Sequence, residues 1–187
     1  MIERSIHIKI PLDRIGVLIG PKGSIKRKIE ETCGVILEVS STTGDVTITA
    51  KDDSDPLTLF RVQNLVTAVG RGFTPEKAFQ LLDESMMFEV IDLRDWVGKS
   101  KSSLERIKGR IIGEQGKTRK IIEETTGANI SVYGHTVSII GEPDAFEVAR
   151  TAVQMLISGS QHSTVYRFLH RKRRELKKAK LKLWENP

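Results

Sequence analysis

The sequence predicts an α+β protein: two related small domains, each with a three-stranded antiparallel sheet packed on three helices, followed by a basic C-terminal helix. Three observations carry this reading. A stretch of sequence occurs twice, the periodicities around each copy run β-α-α-β-β-α, and positive charge collects at one end of the chain. Residues Gly16 to Val39 read GVLIGPKGSIKRKIEETCGVILEV, and Gly109 to Val132 read GRIIGEQGKTRKIIEETTGANISV. Aligned without a gap, 93 positions apart, they share Gly16 with Gly109, Ile19 with Ile112, and Gly20 and Gly23 with Gly113 and Gly116. Ile29 to Thr32 repeats as Ile122 to Thr125, Gly34 as Gly127 and Val39 as Val132. Two copies are too few for a solenoid, so the repeat reads as a tandem of domains. A chain of 187 residues leaves each near the lower size limit for a core of its own.

The first copy opens on Ser5 to Ile10, where Ile6, Ile8 and Ile10 alternate as in a half-buried strand that Pro11 ends. A short helix follows from Asp13 to Ile19. After the turn Gly20-Pro21-Lys22-Gly23, the helical spacing of Ile25, Ile29 and Cys33 predicts a helix over Ser24 to Cys33, capped by Gly34. Strands Val35 to Val39 and Val46 to Ala50 flank a polar loop, and Asp55-Pro56 opens a helix with Leu59, Val62, Leu65, Val66 and Val69 inward. Thr74-Pro75 starts a further short helix with Ala78, Phe79 and Leu82 as its apolar face, read as a bridge between the copies.

The second copy repeats the order: a strand over Met87 to Ile91, a basic connection over Trp96 to Ser103, a helix from Leu104 to Ile112, and a helix from Lys117 to Thr126 capped by Gly127. Strands Asn129 to Tyr133 and Thr136 to Ile140 flank the short turn Gly134-His135, and Pro143-Asp144 opens the last domain helix on Phe146, Ala149, Val153 and Leu156. In the tail, Val165, Phe168, Leu169, Leu176, Ala179 and Leu183 share one helical face, with Trp184 to Pro187 as a frayed end. The boundaries are 1–72, a connecting helix over 73–85, 86–159, and a basic amphipathic helix over 160–187.

Composition bounds the function. Hydrophobic content of 39% and charged content of 29% suit a soluble globular protein; no apolar run approaches a membrane span, and the N-terminus does not read as a signal peptide. The lone Cys33 excludes an internal disulfide and any multi-Cys metal site, and suits a reducing cytoplasm. The net charge of +6 is uneven: Ser160 to Pro187 carries nine basic and two acidic residues, leaving 21 basic and 22 acidic on the body. Any basic surface on the body must come from arrangement.

Each copy puts an Ile-Gly-x-x-Gly turn between two helices. The glycines permit a sharp turn and close approach of another backbone, and the next helix begins there with its unpaired N–H groups and positive dipole end. That is a place for phosphate. In copy one Lys22, Lys26 and Arg27 add charge; in copy two Lys117, Arg119 and Lys120 do so. Because Pro21-Lys22 adds a cation where Glu114-Gln115 adds a carboxylate, copy one is expected to contribute more of the salt-dependent affinity.

These motifs, Val17 to Ile25 and Ile111 to Gly116, resemble the KH domain, whose GxxG loop clamps about four nucleotides of single-stranded nucleic acid. A strand before the helix-turn-helix and β-β-α after it is similar to the type I topology. The low aromatic content of 5% suits an aliphatic groove better than a stacking platform. The resemblance implies RNA contacts from Ile19, Gly20, Pro21, Lys22, Gly23, Ser24, Lys26 and Arg27, and from Arg110, Ile112, Gly113, Glu114, Gln115, Gly116, Lys117, Arg119 and Lys120. Beyond the module, Gly70-Arg71-Gly72-Phe73, Phe88 to Leu93, Gly109 to Thr118, Ala149 to Ala152 and Leu156 to Gly159 resemble the Dim-type, or partner-of-Nob, factors of small-subunit ribosome assembly. Membership implies a non-enzymatic protein, without cofactor or metal and monomeric, that binds single-stranded rRNA near the 3′ end of the small subunit, within the pre-ribosomal small subunit and beside a Nob-type endonuclease. The chain lacks the long acidic N-terminal extension of eukaryotic members and keeps the first GxxG that they have lost, so it resembles archaeal members.

Other readings are weaker. Gly116-Lys117-Thr118 would need Gly at 111 to make a phosphate-binding P-loop, and Ile111 stands there. Asp52-Asp53-Ser54-Asp55 reads as an acidic turn into a helix rather than a metal cluster, the four histidines have no ligand spacing, and no nucleophile–base set is evident. The tail helix either docks its apolar stripe on the second domain or contacts RNA phosphates or a partner's groove. A general KH-type RNA regulator, a DNA-binding helix-turn-helix protein and an RNA-processing enzyme are the rival functions.

Overall fold

The structure of the protein, a computed structural model, describes residues 4–51 and 55–185. It divides into two compact units, Met1–Met86 and Met87–Pro187. The first contains β1 (Ser5–Lys9), α1 (Leu12–Ile19), α2 (Ser24–Cys33), β2 (Val35–Val39), β3 (Asp45–Ala50), α3 (Pro56–Gly70) and α4 (Pro75–Phe79). The second contains β4 (Met87–Asp92), α5 (Arg94–Val97), α6 (Lys101–Ile112), α7 (Lys117–Thr126), β5 (Asn129–Tyr133), β6 (Thr136–Gly141), α8 (Pro143–Ile157) and α9 (His162–Glu185). The sheets have the strand orders β1-β3-β2 and β4-β6-β5, antiparallel throughout. The expected α+β architecture of β-α-α-β-β-α modules is therefore present twice.

Period-two and helical patterns place the cores. On β2, Val35 and Leu37 are buried under the helices while Ile36 and Glu38 face outward. Leu18, Ile29, Val62, Leu65 and Val66 close over them from α1, α2 and α3. The second unit repeats this with Ile111, Ile122, Ile139, Val153 and Leu156. Asp55 caps α3 by accepting from the Leu57 amide at 3.0 Å, with Pro56 as the first helical residue. Asp52, Asp53 and Ser54 lie outside the described residues.

Several details differ from the sequence reading. α6 starts at Lys101, not Leu104, because the Ser100 carbonyl accepts from the Leu104 amide at 3.0 Å and closes an extra turn. The connection before it contains α5, stopped by Gly98 at φ 73°. The expected bridge belongs to the first unit: α4, capped by Thr74, tightens into a 3-10 turn over Gln80–Leu82 and packs on α3 behind buried Phe73. That tightening advances the buried position to Leu81 in place of Leu82. The tail helix runs through Trp184 to Glu185 rather than fraying at Trp184; Asn186 and Pro187 lie outside the described residues. Only the first part of its apolar stripe docks: Val165 and Leu169 are fully buried, Leu176 is half-buried, and Ala179 and Leu183 are exposed.

Candidate nucleic-acid interface

The two glycine turns have the same backbone. Gly20 sits at φ 72°, ψ 174° and Gly113 at 75°, 174°; Lys22 at 52°, 30° and Gln115 at 52°, 31°; Gly23 at 75°, 17° and Gly116 at 75°, 12°. Lys22 and Gln115 are the non-glycine residues with positive φ among those described. Left-handed geometry at an L-residue costs roughly 1–2 kcal/mol, so each turn holds local strain at the tip that separates its two helices.

The glycines of a pair do different work. A Cβ at Gly20 would overlap Ile25 Cγ1 and lie 2.9 Å from the Ile25 amide; at Gly113 it would overlap Thr118 Oγ1 and lie 2.7 Å from the Thr118 amide. The first glycine is thus required by packing inside the turn. At Gly23 and Gly116 a Cβ would meet nothing within 4 Å, so these are required by their left-handed φ and leave open space above them. Gly16 and Gly109 also face open space, so they do not serve close helix packing; they leave the last turn of the first helix bare beside the glycine turn.

Two of the amides at each turn are not free. Gly23 N–H donates to the Gly20 carbonyl at 3.1 Å and Ser24 N–H to that of Pro21; Gly116 and Lys117 do the same with Gly113 and Glu114. An anion therefore meets the positive helix end and the side chains rather than these amides. Pro21, Lys22 and Ser24 are exposed, and Ile19 is half-buried beside them. Arg27 donates to the Lys22 carbonyl at 3.0 Å, which places its cation against the tip, whereas Lys26 leans back to Glu30 at 3.4 Å. In copy two, Glu114, Gln115, Lys117, Arg119 and Lys120 are exposed, Ile112 is half-buried, and Lys120 lies 3.8 Å from Glu124. Arg110 does not point into solvent. It is half-buried, and its guanidinium donates to the carbonyls of Leu156 at 3.2 Å and of Ser160.

Supporting contacts explain shared residues that the motif alone does not. Glu30 accepts from the Leu37 amide at 2.9 Å and Glu123 from the Ile130 amide at 2.9 Å, so the repeated Ile-Glu-Glu-Thr run ties the second helix to the open edge of the sheet. Arg14 donates to the carbonyls of Val69 at 2.8 Å and Phe73 at 2.7 Å, the same job as Arg110 from one helical turn earlier. In copy two, Tyr166 of α9 is hydrogen-bonded to buried Thr118 at 2.9 Å, and His162 to the Arg110 carbonyl at 3.0 Å. These close a cleft of about 470 Å³ with Arg106, Gly109, Gly113 and Lys117. Sequence reasoning missed this wall because Tyr166 and His162 lie outside the repeat.

Among the described residues no cluster of His, Cys, Asp or Glu could hold a metal ion, and no helix is long and apolar enough to cross a membrane. Burial raises the pKa of the Cys33 thiol, which lowers its thiolate fraction.

Comparison with known proteins agrees with this geometry. A model of the eukaryotic-type KH domain (type I), that of the second PNO1 domain, matches residues 87–174, and the general KH-domain model matches residues 5–56. A KH domain-containing protein of Methanocaldococcus jannaschii is 47% identical over 185 residues, covering 98% of this chain and 81% of that one. RNA-binding protein PNO1 of Oryzias latipes is 34% identical over 122 residues, 63% of this chain and 49% of its own length, so the match spans about half of that relative. Among solved structures, Dim2p in the a/eIF2α–aDim2p–rRNA complex of Pyrococcus horikoshii superimposes with a TM-score of 0.86 at 46% identity, covering 92% of this chain and 96% of that one. A protein of unknown function from Aeropyrum pernix does so with a TM-score of 0.91 at 39% identity over the whole of both chains. With two type I KH modules and relatives of this kind along its length, the chain belongs to the Dim-type (partner-of-Nob) family of tandem KH-domain proteins, on its archaeal side.

Proposed function

We propose that the protein is a cytoplasmic, monomeric assembly factor that holds a single strand of small-subunit rRNA near its 3′ end, and presents that strand to, or shields it from, a Nob-type endonuclease. The observation that carries this reading is the glycine turn itself. The same strained backbone recurs twice within a few degrees, capped by bare glycines and flanked by exposed cations. Relatives named as RNA-binding and pre-rRNA-processing proteins support the substrate class, and the rRNA complex of the Pyrococcus neighbour supports both RNA and the initiation factor α subunit as partners. The role is one of binding, without cofactor or catalysis, and what supports it is that the turns offer positive charge and a shape suited to a polyanion.

The test uses the full chain, with Pro21→Asp/Lys22→Asp and Glu114→Asp/Gln115→Asp made separately, and a labelled single-stranded fragment of the rRNA 3′ end. All four side chains are exposed, so thermal unfolding should barely change. Each pair of changes should weaken binding by about tenfold, and the first should flatten the log–log salt slope more, by roughly 0.7 for every phosphate the variant no longer neutralises. Unchanged binding in both variants would overturn the reading. Cleavage of the fragment by purified protein with metal or ATP would overturn the non-enzymatic role, and preference for duplex DNA would favour a helix-turn-helix reading.

A further inference from the structure

α9 carries charge that its docking does not use. Its body-facing side is the buried pair Val165 and Leu169, continued by half-buried Leu176. On the opposite side Arg167, Arg171, Arg174, Lys178 and Lys182 fall at i, i+4, i+7, i+11 and i+15, all exposed. The line is about 22 Å long at a rise of 1.5 Å per residue. A helix that merely needs a solvated face gains by alternating signs, since like charges at i+3 and i+4 repel. Among the described side chains, Glu175 pairs with this stretch, 2.9 Å from Lys172 and 3.9 Å from Arg171, while Arg167, Arg174 and Lys178 have no acidic partner within 4.0 Å.

The line is also shaped. Its first half walls a cleft of about 800 Å³ floored by Met155, Thr164 and Phe168. The Arg171 guanidinium stands 5.9 Å from the Phe168 ring centroid, which holds it over the cleft. The helix begins at the second glycine turn, where Tyr166 bonds Thr118 and His162 bonds the Arg110 carbonyl, and leads away from it. Resting on the proposed binding of RNA at that turn, we propose that α9 is a second, sequence-independent RNA contact: Arg167, Arg171, Arg174, Lys178 and Lys182 hold the phosphates of the RNA that flanks the strand at the second turn. Arginine suits this task because its planar fork pairs with phosphate oxygens two at a time. A membrane-surface helix would keep its apolar face free, and here that face is occupied by the fold from Val165 to Leu176.

The test compares wild type with Arg171→Gln/Arg174→Gln/Lys178→Gln in the full chain. The glutamines keep helix propensity and relieve repulsion, so the variant should fold. Three probes are needed: a single strand of about four to six nucleotides, enough for one turn; the same strand with a single-stranded extension on the order of ten nucleotides; and the same strand with a hairpin extension. Wild type should bind at least one extended probe more tightly than the short strand. The variant should bind the short strand within about twofold of wild type, lose about tenfold on the extended probe, and show a salt slope shallower by about two to three. Which extension is affected tells whether the flanking RNA is single-stranded or paired. If neither extension adds affinity in wild type, or the variant binds every RNA as wild type does, the inference falls and the line serves another partner, such as an acidic protein. If the short strand is lost equally, the line is not a separate contact. Wild type that binds no probe at all would sink the RNA reading itself.

Discussion

The two glycines of each turn look interchangeable in the sequence, yet the structure gives them different burdens. Gly113 must lack a Cβ because Thr118 fills that space, and its φ of 75° with ψ of 174° is open only to glycine. Gly116 has room for a Cβ and bears only the left-handed φ of 75°. Gly113→Ala should therefore destabilise the second unit by roughly 3 kcal/mol or more, strain and overlap together, and Gly116→Ala by about 1–2 kcal/mol. Urea unfolding of the two variants checks this, and equal losses would contradict it. The spacing was legible from sequence because backbone geometry forces glycine at both places. The difference was not, because it depends on a side chain five residues away. Asp92 offers a second test at this scale. The hydrogen bond from the Arg94 side chain holds its carboxyl pKa at about 2, well below its ordinary 3.8, with the Arg94 backbone amide as a lesser contributor. A depressed acid stabilises the fold above its unfolded value and loses that contribution as pH falls from about 4 through about 2. Asp92→Asn should melt below wild type at neutral pH, with the gap closing over that acid range; a gap independent of pH would count against the pair.

At the scale of elements, the strands and long helices followed from periodicity, while their anchoring did not. The arginine that clamps the end of the third helix is Arg14 in one unit and Arg110 in the other, one helical turn apart in the alignment, so the repeat hides it. The match between copies also slips along the chain: the glycine turns align 93 apart, but the last helices start at Pro56 and Pro143 because copy two has shorter connections. On that second alignment Val69 and Phe73 correspond to Leu156 and Ser160, and α4 to the first turns of α9. The segment read as a bridge is thus a structural counterpart of the docked tail. Arg110→Met should cost about 2–4 kcal/mol, the loss of two hydrogen bonds from a charged donor at a half-buried helix end. Arg110→Lys should restore little, since one ammonium cannot span both carbonyls as the fork does. Thermal melts of both variants read this directly. If methionine is tolerated and short-strand binding drops instead, Arg110 serves the RNA and not the fold.

At the scale of the whole chain, charge and core divide differently. Both units have their own sheet and their own buried helices, but residues 1–86 carry 11 basic and 12 acidic side chains, against 19 and 12 in residues 87–187. The tip of the first turn is the more positive one, through Lys22 and Arg27. Away from the tips the balance reverses. Where copy two has exposed Arg106 and Lys117, copy one has Asp13 and Ser24, and α9 adds the rest. Periodicity could assign α9 a face but not a docking site, so the field of the second unit was not legible until Tyr166 and His162 placed the helix beside the turn. The two fragments, 1–86 and 87–187, should each unfold cooperatively, because each closes its own core. Their binding to the same single-stranded rRNA fragment should differ in kind. The larger salt-dependent share expected of copy one belongs to the tips alone. As whole fragments, the second should show the steeper salt slope and the faster association, since long-range attraction scales with net charge, while the slope of the first should come mainly from Lys22 and Arg27 at the turn. Stopped-flow association at two ionic strengths separates these cases. A steeper slope in fragment 1–86 would mean that the charge at the tip, and not the field of the unit, governs how RNA is gathered.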